Sequence, residues 1–374
     1  MATGGPTRGY AIPGLVVADA GRSADIAIHT HGGQHLEGDL TITTRGRDRV
    51  THAERQRGEA VLRVLQGDTQ AFDNNPWFQK ICFPSDDFSW PSSFTPHSTP
   101  PPPPPPDFST LERPLNNSQL DAVKHMLSLS ADSRITLIHG PPGTGKTTVI
   151  ASFVHFAISQ GQGGIWLTAQ SNVAVKNIAE KLNDAGFTNW KLLVSRDFVC
   201  EWYVLIFVIY EPIIFTNNYN KHRHEHLYSK IFNNVIRSDS FTGSQLKKDL
   251  KGVKVILCTL SMLSNPQLIV YISRMIPITT LVIDEASQIE VGDYVAVFTS
   301  YVSSLRKVCF IGDDKQCESL HCFCNYHLID HEFLVPPHGQ EAIENLQSIF
   351  EVNHLRNLAI FLDIQCIFLF LFLF

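Results

Sequence analysis

The chain has 374 residues, of which 44% are hydrophobic and 18% charged, and its formal net charge is −6. This length accommodates two or three domains with a sizeable core. The negative balance excludes a general positive field that would attract nucleic acid, so such a partner has to bind in a local groove. The longest apolar stretches, Tyr203–Phe215 and Ile367–Phe374, fall short of the about 20 residues of a membrane helix. With no recognisable secretory leader, we expect a cytoplasmic or nuclear protein with reduced thiols and no membrane partner.

Residues 1–95 predict a small mixed region whose role the sequence does not reveal. The segment Asp39–Thr44 alternates as a half-buried strand does. Apolar residues then recur at helical spacing, at Ala60, Val61, Val64 and Leu65. An aromatic cluster follows, formed by Phe72, Trp77, Phe78 and Phe83.

A proline-rich linker is predicted over residues 96–110. It contains the unbroken run Pro100–Pro106, and proline both fixes φ and removes a backbone donor, so the run favours an extended, semi-rigid spacer. A proline-motif-binding partner is the alternative to a plain spacer. Either way, the run indicates a domain boundary.

An α/β pattern begins near residue 111. The predicted strands are Arg134–His139, Gly164–Thr168, Val253–Thr259, Thr280–Ile283 and Lys307–Ile311. The predicted helices are Asn117–Leu129, Lys146–Ile158 and Asn172–Ala185. Strands that alternate with helices favour a parallel sheet covered on both faces.

A glycine-rich loop follows the first of these strands and opens a helix. Its residues Gly140, Pro141, Pro142, Gly143, Thr144, Gly145, Lys146 and Thr147 match G-x-x-x-x-G-K-[ST] in full, and Thr148 follows directly. In such a loop the backbone N–H groups surround phosphates, the lysine reaches the β- and γ-oxygens, and the threonine ligates Mg²⁺. The sequence therefore predicts a P-loop that binds ATP and Mg²⁺.

An acidic pair, Asp284 and Glu285, ends the apolar strand Thr280–Ile283. Ligands bind α/β sheets at the carboxyl ends of the strands. Beside a P-loop, Asp284 is expected to hold Mg²⁺ and Glu285 to orient and deprotonate the attacking water.

Two glutamines complete the predicted ATP site. Gln316 lies in the block Gly312–Gln316 after the last clear strand, where it can contact the γ-phosphate or the attacking water. Gln119 precedes the P-loop, and its amide offers the donor and the acceptor that suit an adenine edge.

These blocks, in this order, resemble superfamily 1 helicases of the subgroup that contains the nonsense-mediated-decay RNA helicase. The resemblance covers roughly residues 111–365 and implies a RecA-like P-loop NTPase domain, with Gln119 as the adenine-reading glutamine. It also implies that Thr168–Asn172 and Cys258–Ser261 line a path for single-stranded nucleic acid, RNA in preference to DNA. The implied activity is ATP hydrolysis coupled to translocation or unwinding, and we expect a monomer.

Three segments depart from the family pattern. Insertions interrupt it at residues 203–223 and 317–335, and an apolar tail at residues 366–374 replaces the tyrosine and arginine expected after Gln365. Our hypothesis is translated intron sequence, which continuous coverage of these codons in mature transcripts would contradict. The cysteines and histidines of the second insertion lack zinc-ligand spacing, so we expect no zinc there.

Two other functions share some of these motifs. An AAA+-type ATPase can carry an identical P-loop, but Gln119 and the Gly312–Gln316 block argue against it. A catalytically inactive nucleotide-binding fragment is the other alternative. Because the arginines of a second motor domain stabilise the transferring phosphoryl group, we expect this chain alone to bind ATP·Mg²⁺ weakly and not to unwind.

Overall fold

The computed structural model describes residues 14–19, 24–28, 51–94, 106–111, 113–195, 231–241, 244–313 and 347–364. The chain divides into two compact units, Met1–Arg49 and Val50–Phe374. In the first unit, β1 (Gly14–Asp19) pairs antiparallel with β2 (Ala24–Ile28). The predicted strand Asp39–Thr44 lies outside the described residues.

The second unit is built on an eight-stranded sheet in which every pairing is parallel. Its strands are β3 (Ile135–His139), β4 (Ile165–Ala169), β5 (Trp190–Val194), β6 (Val235–Arg237), β7 (Val255–Thr259), β8 (Thr280–Asp284), β9 (Lys307–Gly312) and β10 (Ile360–Phe361). They lie in the order β10-β3-β9-β8-β4-β7-β5-β6. The sheet confirms the predicted α/β fold of RecA-like type.

Both faces of this sheet are buried. In β8, Leu281 and Ile283 point into one apolar cluster, while Val282 between them points into the other. Successive side chains of a strand alternate between faces, and a parallel sheet needs cover on both. Burial of each such side chain stabilises the fold by roughly 1.5–3 kcal/mol relative to exposure.

Helices supply that cover. They are α1 (His52–Leu65), α2 (Gln70–Asp73), α3 (Pro76–Ile81), α4 (Asn117–Leu127), α5 (Lys146–Ser159), α6 (Asn172–Asp184), α7 (Ser244–Asp249), α8 (Ser273–Met275), α9 (Val295–Tyr301) and α10 (Asn353–Arg356). Side chains of α4, α5 and α6 cover one face, and side chains of α3, α9 and α10 cover the other.

A buried lysine fixes α4 to the sheet. Lys307, the first residue of β9, donates from Nζ to the carbonyl oxygens of His125, Ser128 and Ser133, each at 2.7 Å. Burial lowers the pKa of this ammonium to about 8, because a charge out of water is disfavoured. The three carbonyl acceptors compensate, and they hold the helix that carries Gln119.

The predicted elements of the α/β domain are confirmed within two residues at each end. Strands β5, β6 and β10 were not predicted. Strand β5 has five residues, β6 has three, and β10 has only two, Ile360 and Phe361. Its place in the sheet depends on pairing with β3. No pattern in the local sequence predicts this pairing.

The structure places the boundary of the first region differently from the predicted 1–95. Trp77 is 0% exposed and stacks on Phe298 of α9, with ring centroids 5.9 Å apart. Asn75 donates from Nδ2 to the carbonyl oxygen of Phe298 at 2.9 Å, and Arg134 donates to the carbonyl oxygen of Phe94 at 2.9 Å. Residues 51–94 therefore belong to the α/β unit, because their aromatic side chains complete one face of its core.

Several sequence predictions fall outside the described residues. These are the proline run up to residue 105, Gln316, both insertions, their cysteines and histidines, and the tail. Within the described ranges, no group of three or more histidine, cysteine, aspartate or glutamate residues is arranged to hold a metal ion. Among these same residues, no helix combines the length and apolar character needed to cross a bilayer.

Candidate nucleotide-binding site

The carboxyl ends of five strands meet at one edge of the sheet. In the strand register His139 lies opposite Gly312, and Ala169 lies opposite both Asp284 and Thr259. The segments that follow β3, β9, β8, β4 and β7 consequently leave the sheet side by side. Such an edge is where open α/β sheets bind ligands.

The P-loop takes its shape from glycines and one buried threonine. Gly143 and Gly145 have φ of 82° and 86°, in the left-handed region that glycine adopts without penalty. Thr144 is buried, and both its N–H and its hydroxyl bond to the carbonyl oxygen of Pro141, at 3.3 and 2.8 Å. A Cβ on Gly140 would lie 2.6 Å from the Thr144 hydroxyl oxygen, so the turn has no room for another residue there.

Lys146 begins α5 and folds back over the loop. Its Nζ donates to the carbonyl oxygen of Gly140 at 2.5 Å and lies 3.4 Å from that of Pro141. Thr147 and Thr148 are half-buried in the first turn of the same helix, whereas Pro142 is exposed. A helix start with an adjacent ammonium has the positive potential that binds phosphate.

Gln119 contacts the P-loop directly. Its Nε2 donates to the carbonyl oxygen of Thr144 at 2.9 Å, and its Oε1 accepts from the N–H of Asn116 at 3.2 Å. Asn116 in turn caps α4 by accepting from the N–H of Gln119, which forms a capping box. The glutamine thus links the helix start to the loop, and its contact with adenine stays a prediction.

The acidic pair lies at the end of β8. Asp284 is 8% exposed and accepts from the N–H of Glu285 at 3.0 Å. Burial raises the pKa of both carboxyls, and for Glu285 the neighbouring Asp284 raises it further. The charge of Lys146 acts in the opposite direction on both groups, so the ammonium lies close enough to interact with the pair.

Glu285 also has a strained backbone. Its φ of 55° makes it the sole non-glycine residue at positive φ among those that the structure describes. A non-glycine residue there costs roughly 1–3 kcal/mol. The chain therefore turns at Glu285, directly after β8. The next two residues, Ala286 and Ser287, are buried.

This donor set fits a hard divalent cation. Mg²⁺ prefers carboxylate, hydroxyl and phosphate oxygens, and the predicted ligands, Thr147 and Asp284, offer a hydroxyl and a carboxylate. Because burial raises the pKa of Asp284, a cation beside it would compensate the cost of keeping this carboxylate ionised.

The buried acidic pair predicts a specific dependence of stability on pH. The pKa of Asp284 is raised above its ordinary value of 3.8, so between these two values the folded chain binds more protons than the unfolded chain. The free energy of unfolding of the nucleotide-free protein should therefore fall as pH rises through that window. Urea unfolding across this range measures it, with Asp284→Asn as the comparison. The variant should lose part of the slope, and identical slopes in both proteins would contradict the assignment.

The two blocks predicted to line the nucleic-acid path are only partly accessible. Thr168 and Cys258 are fully buried, so neither side chain can contact a ligand. Ser171 is exposed and caps α6 by accepting from the N–H of Ala174 at 3.1 Å.

The second block has its own exposed hydroxyl. Ser261 is exposed, and its Oγ lies 3.3 Å from Oγ1 of Thr259. Of the first block, Gln170 is exposed as well. The exposed members of the two blocks are thus Gln170, Ser171 and Ser261, and Asn172 is half-buried, so these side chains are the ones within reach of a phosphate backbone.

Sequence reasoning assigned no role to two buried polar side chains beside the site. His139 is the last residue of β3 and directly precedes the P-loop, and Ser287 lies two residues after Glu285. Their only sequence signal is proximity to the motifs. Their burial is a consequence of the sheet and is not visible in the local pattern.

The parallel sheet, the P-loop between β3 and α5 and the acidic pair after β8 define a P-loop nucleotide-binding domain. In agreement, a family model described as "AAA domain" matches residues 114–194. The Regulator of nonsense transcripts 1 homolog of Arabidopsis thaliana is 49% identical over 72 residues, which cover 19% of this chain and 5% of that protein. The ATP-dependent helicase NAM7 of Saccharomyces cerevisiae is 44% identical over 72 residues, covering 19% and 7%.

A longer alignment links more of the chain to the same family. The Regulator of nonsense transcripts 1 homolog of Neurospora crassa is 26% identical over 208 residues, which cover 54% of this chain and 18% of that protein. The chain is thus similar, in its nucleotide-binding domain, to proteins named as regulators of nonsense transcripts and as an ATP-dependent helicase, in agreement with the resemblance that its motifs carry. The chain matches less than a fifth of the length of each of these relatives.

Proposed function

We propose that this chain provides the ATP-binding first motor domain of an ATP-dependent RNA helicase. The observation that supports this most is the common sheet edge from which the P-loop and the acidic pair both emerge, with Lys146 close enough to act on both carboxyls. A phosphate chain held by the loop would have its terminal group beside this pair. In the full-length protein, hydrolysis would drive translocation or unwinding.

The chain's own residues have distinct parts in this scheme. The loop N–H groups from Gly143 to Thr148 bind the phosphates, and Lys146 exchanges its carbonyl partners for β- and γ-phosphate oxygens. Glu285 accepts the proton of the attacking water, and because burial and Asp284 raise its pKa it is a stronger base than an ordinary glutamate. Gln119 contacts adenine, and Gln316 contacts the γ-phosphate.

Mg²⁺ completes the site. Thr147 and Asp284 would hold it, and it would neutralise charge that develops on the transferring phosphoryl group.

Single-stranded RNA is the proposed partner. Gln170, Ser171 and Ser261 would bind its phosphates without reading the bases, as a motor that moves along any sequence requires. The preference for RNA follows the relatives that are named as regulators of nonsense transcripts. We propose a cytoplasmic monomer.

Coupling between nucleotide and RNA binding tests the proposal. A motor domain should change its affinity for a single-stranded RNA oligonucleotide when a non-hydrolysable ATP analogue binds, by about fivefold or more. Fluorescence anisotropy of a labelled oligonucleotide measures this, with DNA of equal length alongside. Lys146→Ala should abolish the coupling.

The alternatives give different results in the same experiment. Nucleotide binding without any RNA affinity would contradict the motor and favour a plain nucleotide-binding module. Equal coupling to RNA and DNA would retain the motor and remove the preference for RNA.

A further inference from the structure

The exposed side chains of the proposed RNA path, Gln170, Ser171 and Ser261, carry no positive charge. Lys176, further along α6, pairs with Glu180 at 3.2 Å. Neutralisation of phosphates by lysine and arginine supplies much of the affinity of proteins for nucleic acid and makes that affinity depend on salt. A chain of net charge −6 has no general positive field that could replace it. RNA bound at this path therefore needs positive charge from another part of the domain.

Four lysines lie close together where α7 leads into β7. They are Lys247, Lys248, Lys251 and Lys254, and all four are exposed. The chain has 30 lysines and arginines in 374 residues, so an even distribution would place fewer than one in a stretch of this length. Asp249 is the one acidic residue among them. We call residues 247–254 the lysine segment.

The backbone of the lysine segment is fixed to the core of the domain. Leu246 and Leu250 are 3% and 5% exposed and belong to one apolar cluster. The N–H of Lys254 donates to the carbonyl oxygen of Asn189 at 3.0 Å, directly before β5. The Cδ of Lys254 would lie 3.6 Å from a Cβ on Gly163, so its aliphatic stem passes over the chain that leads into β4. The four charges are thus carried by a well-anchored turn and not by a loose loop.

The charges of the lysine segment are not compensated within the described part of the chain. Asp249 accepts from Nε2 of Gln245 at 2.9 Å, and no described carboxylate forms an ion pair with any of the four ammonium groups. The dipole of α7 favours Lys247 and Lys248, which lie in its last turn, but it does not act beyond the end of the helix. Lys251 and Lys254 therefore have no intramolecular reason to be cationic.

The lysine segment and the proposed RNA path lie at opposite ends of β7. Lys254 directly precedes this strand, and Ser261 follows its last residue by two. A strand of five residues is about 16 Å long. Successive phosphates of a stacked nucleic-acid strand are separated by roughly 3.4 Å of rise, so about five nucleotides would separate the two contacts. The lysine segment is therefore a separate surface and not a continuation of the path.

We propose that the lysine segment is a second phosphate-binding surface, which binds the RNA backbone outside the path through charge and without reading its sequence. This role rests on the proposed RNA-binding function. The segment contains no aromatic residue, which favours contact with phosphates over contact with bases, since unpaired bases bind by stacking. An acidic peptide would match the charge equally well, but the neutral path creates a need for positive charge that RNA binding alone explains.

The salt dependence of RNA affinity tests this proposal. Fluorescence anisotropy of a labelled RNA of about 20 nucleotides measures the affinity of the full chain between about 50 and 300 mM salt. A variant with Lys247→Gln, Lys248→Gln, Lys251→Gln and Lys254→Gln should bind roughly tenfold more weakly at the lowest salt. The slope of log affinity against log salt should become shallower by about 2 to 3, because each phosphate contact with a single strand contributes about 0.7. Arginine at the same four positions should preserve both values.

A charge-matched variant controls for the loss of four positive charges. It replaces four exposed basic residues of other helices by glutamine, namely Arg55, Arg63, Lys124 and Lys181. This control should keep the parent slope and an affinity within about twofold of the parent. Both variants should bind a non-hydrolysable ATP analogue as the parent does, because the P-loop lies at the other edge of the sheet.

The outcomes distinguish this proposal from the proposed function. If the parent binds no RNA, the RNA motor is wrong, and the second surface falls with it. If the parent binds RNA and the glutamine variant has the same affinity and slope, the lysine segment has no such role while the motor stands. Equal losses in the variant and the control would also overturn it, since only net charge would then matter. Polyglutamate that binds the parent but not the variant, with RNA affinity equal in both, would assign the segment to an acidic protein instead.

Retained binding of the ATP analogue shows that a variant is folded. Should the fourfold variant lose it, two double variants decide, Lys247→Gln with Lys248→Gln and Lys251→Gln with Lys254→Gln. Each should reduce the salt slope by about half as much as the fourfold change. Unchanged slopes in both double variants would overturn the proposal.

Discussion

Lys146→Ala is expected to weaken ATP binding by about 10- to 100-fold, the loss for a charge-assisted contact of roughly 1.5–3 kcal/mol. The ammonium lies against the carbonyl oxygens of Gly140 and Pro141, at the mouth of the loop. No other residue of the motif carries a positive charge. Isothermal titration with a non-hydrolysable ATP analogue in Mg²⁺ measures the change.

A second lysine in the same domain provides the control. Lys124 on α4 is exposed and forms a weak ion pair with Asp121 at 3.8 Å, so Lys124→Ala should leave nucleotide affinity unchanged. Surface pairs of this kind contribute less than about 1 kcal/mol to stability, so both variants should melt like the parent. Equal affinities for the parent and Lys146→Ala would refute the assignment of the P-loop.

Trp77→Ala is expected to lower the free energy of unfolding by about 3–5 kcal/mol. The indole is fully buried and packs against Phe298, Trp90 and Phe94. Its removal leaves a cavity between α3 and the face of the sheet that α9 covers. Chemical denaturation, monitored with a probe in the nucleotide site, measures this loss in the free energy of unfolding.

The choice of probe makes this a test of domain organisation. If residues 51–94 are part of the α/β unit, the nucleotide site must unfold in the same, weakened transition. Phe83→Ala in the same aromatic cluster is the matched control, because Phe83 is 59% exposed, and its change should stay within about 0.5 kcal/mol. A nucleotide site that melts normally in Trp77→Ala would restore the predicted boundary near residue 95.

The α/β domain was predictable because its sequence carries local signals. Strands β3, β4, β7, β8 and β9 are short apolar runs that end at glycines or polar residues, as strands buried on both faces do. The P-loop motif predicts a strand directly before it and a helix directly after it. Parallel pairing then follows from the alternation of strands and helices.

The features that could not be predicted from the sequence depend on contacts between residues that are far apart along the chain. Nothing around Trp77 indicates that it stacks on Phe298, more than two hundred residues later. The aromatic cluster was visible, but its partner was not. Likewise, β10 is a strand only because Ile360 and Phe361 pair with Ile138 and His139.

In the candidate site, too, some features could be predicted from the sequence and others depend on the fold. The P-loop and the acidic pair follow from motifs, whereas the burial that raises the pKa of Asp284 does not. The contact of Gln119 with the carbonyl oxygen of Thr144 was likewise hidden. Its capping box with Asn116 was not predicted either, although the helix that begins at Asn117 was.

The backbone at Glu285 links the proposed catalysis to stability. Glycine would occupy its φ of 55° without strain, and Glu285→Gly would also remove a carboxylate that burial and Asp284 both disfavour. Random substitution under selection for folding alone would therefore drift away from glutamate at this position. A glutamate at this strained position, at a cost of roughly 1 kcal/mol or more, is what selection for a working carboxylate would produce. A thermostability screen without an activity screen should recover substitutions at residue 285 early.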